Sequence, residues 1–65
     1  MRILVNGAWR ETAGGELAAV LRELGYGDAV VATALNGEFV AAAVRAHTPI
    51  VEGDRIEVLA PMQGG

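Results

Sequence analysis

The chain has 65 residues, 52% of them apolar, a net charge of −3, and no cysteine, serine or lysine. That makes one domain at most, burying about 60% of the surface its unfolded chain exposes; without cysteine a disulfide framework and a thiolate metal site are excluded, and without Cys, Ser or Lys so are the commonest nucleophiles of covalent catalysis. The acidic balance, the lack of a basic run and the three aromatics Trp9, Tyr26 and Phe39 leave no footprint for nucleic acid, and the opening MRILVNGAWR lacks the apolar run of a signal peptide or membrane span, so the cytoplasm is the expected location.

Arg2 to Val5 is a short branched-apolar run that stops at Asn6-Gly7, a dipeptide suited to the positive φ angles of a tight hairpin. Ala8 to Thr12 is the expected returning strand. From Glu16 to Leu24 the period changes: Leu17, Val20, Leu21 and Leu24 fall at i, i+3, i+4 and i+7 and line one face of a helix. Gly25 stands where a helix ends in a left-handed residue, while Gly14-Gly15 is a poor helix entry and Thr12 lies too early to cap it.

Val30 to Leu35 reads as a strand, Asn36-Gly37 as a second hairpin turn and Glu38 to Val40 as its other arm. Ala41 to Ala46 has no clear amphipathic period and is expected to be a loop or a short helical turn, ended by Pro49. Glu52-Gly53-Asp54 is a turn into a last strand, Arg55 to Leu59. One helix laid across a small mixed sheet, with the first and last strands adjacent and parallel, satisfies this order with short connections. The expected fold is therefore α+β, a β-grasp, occupying residues 1–60, followed by a flexible tail over 61–65.

Strand parity adds a surface. If Ile3, Val5, Ile56 and Val58 face the helix, Leu4 and Leu59 point out of the opposite face on neighbouring strands, close to the tail. They are a candidate docking surface for a partner, although isolated surface leucines are also ordinary. Other side chains promise less. His47 has no companion for metal or triad chemistry, and the acidic residues, Glu23 among them, are spread singly as a solvated surface. Arg10, Arg22, Arg45 and Arg55 are expected at the surface, with docking to acidic partner patches the sharper alternative.

ALNGEFV (Ala34 to Val40) and EGDRIEVLAPMQGG (Glu52 to Gly65), in that order and ending in Gly64-Gly65, resemble the small sulfur carrier proteins of thiamine (thiazole) biosynthesis, which share the ubiquitin-like β-grasp fold. The resemblance covers the whole length. It departs at Ala41-Ala42, where the family often has Pro-Arg. The small subunit of molybdopterin synthase has the same fold and terminal Gly-Gly but is usually longer, and Pro61-Met62-Gln63 is more like the thiazole carrier.

The resemblance implies a carrier with no catalytic residue and no permanently bound cofactor, whose working group is the carboxylate of Gly65. A carboxylate is an anion at neutral pH and resists nucleophilic attack, so it needs activation. The family's partners imply how: an adenylyltransferase of the E1-like type spends ATP on an acyl-adenylate, a cysteine desulfurase or rhodanese-like donor supplies the sulfur, and a thiazole synthase consumes the thiocarboxylate. Gly64, with no Cβ, suits passage through a narrow channel, and Met62 and Gln63 are placed to anchor the tail by adaptable apolar contact and amide hydrogen bonds. A small carrier that visits several partners is expected to be monomeric when free. The alternatives are a molybdopterin-synthase-like small subunit and a β-grasp interaction or modifier module without sulfur chemistry.

Overall fold

Two Asn-Gly pairs turn the chain back on itself. In the computed structural model, which describes residues 1–60, Asn6 and Asn36 have φ of 49° and 51°, followed by Gly7 at 83° and Gly37 at 86°, the paired positive angles of a tight hairpin. The first pair joins β1 (Arg2–Val5) to β2 (Ala8–Glu11), and the second joins β4 (Ala32–Leu35) to β5 (Glu38–Val40). Between them lie β3 (Gly15–Glu16) and α1 (Leu17–Glu23). After β5 come a 3₁₀ helix (Ala42–His47), β6 (Pro49–Ile50) and β7 (Arg55–Leu59). The tail expected over 61–65 lies outside the described residues.

The five main strands form one sheet in the order β2-β1-β7-β4-β5, with β3 and β6 making a separate two-stranded pair. β1 and β7 run parallel and every other neighbour is antiparallel. The architecture is the expected α+β β-grasp. Its core is what the parity and the helical stripe require: Ile3, Val5, Ile56 and Val58 from the sheet meet Leu17, Val20 and Leu21 from α1, joined by Val40 and Ile50. Ile3, Leu17 and Val20 are wholly removed from solvent, and burial of such side chains stabilises by about 1.5–3 kcal/mol each.

The helix ends as its sequence indicates. Gly25, at φ 98°, donates its N–H to the Arg22 carbonyl and Tyr26 donates to Leu21, the two closing bonds of a Schellman cap. Its start has another cause. Glu16, at the N-cap position, makes no side-chain cap bond, and the Leu17 N–H instead donates to the Thr48 carbonyl at 2.8 Å. The β3–β6 pair, with Gly15 opposite Ile50 and Glu16 opposite Pro49, holds that carbonyl in place. A helix entry that looked poor locally is thus satisfied from a segment more than thirty residues away.

Two expectations on strand bounds change. The strand expected over 30–35 begins at Ala32, because β7 ends opposite it at Leu59 and leaves Val30 and Val31 no strand to pair with among the described residues. The Val31 carbonyl is taken by the Arg45 guanidinium through Nη2 at 2.6 Å, while Arg45 Nε donates to the Thr33 hydroxyl at 3.0 Å. This also corrects the surface role expected for Arg45: it is half-buried and fastens the 3₁₀ helix to β4. The strand expected over 8–12 stops at Glu11.

Its partner β1 begins at Arg2, opposite Glu11; Thr12 still exchanges backbone bonds with Met1, and its buried side chain faces Glu23 at the end of α1. The Thr12 hydroxyl and the Ala13 N–H both donate to the Glu23 carboxylate, so Glu23 is not the bare surface charge expected of it. These two bonds, the Thr12 hydroxyl first, hold its pKa below the usual glutamate value. A depressed native pKa gives stability that is present above the unfolded-state value and lost as pH falls through the native one. Glu23→Gln is therefore expected to be less stable than the parent at neutral pH, and the difference is expected to shrink on acidification below the ordinary glutamate range, as read from urea midpoints across that window.

Candidate functional site

The face of the sheet opposite α1 carries no layer of its own among the described residues. Its composition follows from the registers. Leu4 lies opposite Trp9 on one side and Arg55 on the other. Glu57 lies opposite Ala34, and Ala34 opposite Phe39. Leu59 lies opposite Ala32. Phe39 is 74% exposed, Leu59 65% and Trp9 54%, an uncommon density of large apolar side chains in water for so small a domain.

Leu4 and Leu59 do share this face and line one shallow hollow, with Arg55 and Glu57 between them. They are not side by side: Leu4 is half-buried at the level of Arg55, whereas Leu59 stands four residues further along β7. Leu59 also lines a second, largely apolar hollow formed with Val30, Val31, Ala32 and Ala60. The candidate surface is thus an apolar field with one charge of each sign near its middle. Trp9 is held in it by the Arg2 guanidinium, 4.7 Å from the ring centre, a cation–π distance.

Trp9 and Phe39 are the members that sequence reasoning missed. The same alternation that placed Leu4 outward places Trp9 and Phe39 outward on the partner strands, so the signal was there once each hairpin register was written out. The remaining expected site residues, Met62, Gln63, Gly64 and Gly65, lie outside the described residues. The described chain ends at Ala60, one residue past Leu59, so the apolar field adjoins the root of that segment. His47 is exposed at the end of the 3₁₀ helix. Among the described residues no three of His, Asp and Glu come together as a metal site, and no helix is long and apolar enough to cross a membrane.

With this geometry in view, comparison with known proteins is specific. Residues 3–65 match the sequence model of the ThiS family. Among solved structures, the crystal structure of the thiamine biosynthesis protein ThiS from Geobacter metallireducens is similar over 100% of both chains, with 29% identity and a TM-score of 0.85. No match was found among curated proteins.

Proposed function

The chain belongs to the ThiS family, and on that premise we propose that it is a sulfur carrier of thiazole (thiamine) biosynthesis that works through the carboxylate of Gly65. The observation that carries the reading is the reach of the family match, which runs through the β-grasp domain to Gly64-Gly65. A carboxylate oxygen of Gly65 attacks the α-phosphorus of ATP on an adenylating partner, pyrophosphate leaves, and the carboxylate becomes a mixed anhydride. The terminal sulfur of a persulfide on a desulfurase or rhodanese-like donor attacks the carbonyl carbon and AMP leaves. A thiol then cleaves the S–S bond of the resulting acyl disulfide, taking up the donor's sulfur as a disulfide and freeing the thiocarboxylate. Each reacting group other than Gly65 belongs to a partner or to ATP, so this chain acts as a co-substrate.

What the domain supplies is recognition. The apolar field of Trp9, Leu4, Phe39 and Leu59 is the surface proposed for docking, and the segment that follows Ala60 is proposed to enter a partner's site while the domain remains bound. Leu59→Arg is expected to weaken association with the adenylating partner about tenfold, as loss of an apolar anchor does, and to change folding stability by no more than about 0.5 kcal/mol because the side chain is exposed. Titration calorimetry and urea melts measure the two. The pathway itself is tested by giving the loaded chain to a thiazole synthase: thiazole formation is expected, and dithiolene formation with a molybdopterin synthase large subunit, without thiazole, would transfer the chain to the other sulfur pathway.

A further inference from the structure

β1 stops one step too early for β7. The last residue pair between them is Val5 with Ile56, and the chain then leaves the sheet at Asn6-Gly7. The Asn6 N–H still reaches the Ile56 carbonyl at 2.9 Å. Residues alternate along a strand in the edge to which they present N–H and C=O, so the next residue of β7 facing this side is Val58. Both of its backbone groups would face an edge with no strand beside it.

The Asn6 side chain fills that place. Its Oδ1 accepts from the Val58 N–H at 2.8 Å and its Nδ2 donates to the Val58 carbonyl at 3.0 Å. One carboxamide thus imitates the peptide group that β1 no longer supplies, across 52 residues of sequence. It binds the last buried residue of β7, with only Leu59 and Ala60 between it and residue 61.

We propose that Asn6 is a positioning residue for sulfur loading: its carboxamide clamps Val58 and so fixes the direction in which β7 hands the chain over to the Gly65 carboxylate. The loading part rests on the sulfur-carrier reading above; the clamp part does not. Without the carboxamide the end of β7 is held on the β4 side alone, and misplacement of a reacting group by about 1 Å costs on the order of a hundredfold in rate.

The fold contains its own control. Asn36 occupies the equivalent place in the other hairpin, at nearly the same φ, and its side chain also binds β7, accepting from the Arg55 N–H and donating to Asp54, each at 3.0 Å. That is the opposite end of the strand from the tail. Asn6→Gly and Asn36→Gly each delete a carboxamide while keeping a residue that accepts positive φ. At equal folded fraction, hydrogen exchange at the Val58 amide is expected to accelerate about tenfold in Asn6→Gly and less than about twofold in Asn36→Gly. The maximal loading rate with ATP, adenylating partner and sulfur donor is expected to fall at least about tenfold in Asn6→Gly alone, with affinity for the adenylating partner kept within about twofold. Unchanged Val58 exchange in Asn6→Gly, or equal loading rates in the two variants, overturns the proposal. A parent chain that takes up no sulfur refutes the carrier reading instead, and Val58 exchange then still decides the clamp.

Discussion

Replacing Gly64 with valine is expected to lower sulfur loading by at least about a hundredfold, the scale on which a misplaced reacting group loses rate, while the thermal midpoint of the domain stays within about 2 °C of the parent. The two halves of that expectation have separate causes. On the proposed carrier reading the Gly65 carboxylate must enter a partner's active site, and a β-branched side chain next to it would widen the strand and restrict its φ and ψ there. Stability is set elsewhere, because the core runs from Ile3 to Val58. Gly64→Ala, adding a single methyl, is expected to fall between. Intact mass after loading and a calorimetric melt measure both quantities on one sample, and a valine variant that loads at the parent rate would remove the tail from the chemistry.

The second large effect is on the fold. Leu17 opens α1, is fully buried, and its N–H is the one received by Thr48. Leu17→Ala is expected to cost about 3 kcal/mol, from lost burial and the cavity left behind. A domain of this length has a total stability of about 3–10 kcal/mol. The substitution therefore removes a large share of it and, in the lower part of that range, leaves much of the population unfolded at room temperature. Urea unfolding followed by circular dichroism reads the loss. A change below about 1 kcal/mol would mean that the site collapses around the missing atoms, contrary to a close-packed contact between α1 and the sheet.

Local sequence carried the elements whose cause is local. Asn-Gly at 6–7 and 36–37 specified the hairpins because few residues tolerate those angles, and the Leu17, Val20, Leu21, Leu24 stripe specified the helix because only one face has a core to meet. Alternation in the first and last strands then oriented the sheet correctly. What escaped was set by distant partners. β3 and β6 are two residues each and gain meaning only from each other; the helix start depends on Thr48; Val30 and Val31 read as strand but have no strand beside them among the described residues. Arg45, Glu23 and Asn6 each serve a backbone group far away in sequence, which no spacing rule reveals. Of the candidate site, the outward Leu4 and Leu59 were readable from parity, whereas the role proposed for Gly65 came from family resemblance alone.

The most direct test of the account is the intact mass of the full chain after incubation with ATP, an adenylating partner and a persulfide sulfur source, followed by mild reduction. The account predicts a gain equal to the exchange of one oxygen for sulfur, located on Gly65 by fragmentation and dependent on ATP. An unchanged mass, under conditions that load another ThiS-family carrier, would contradict it.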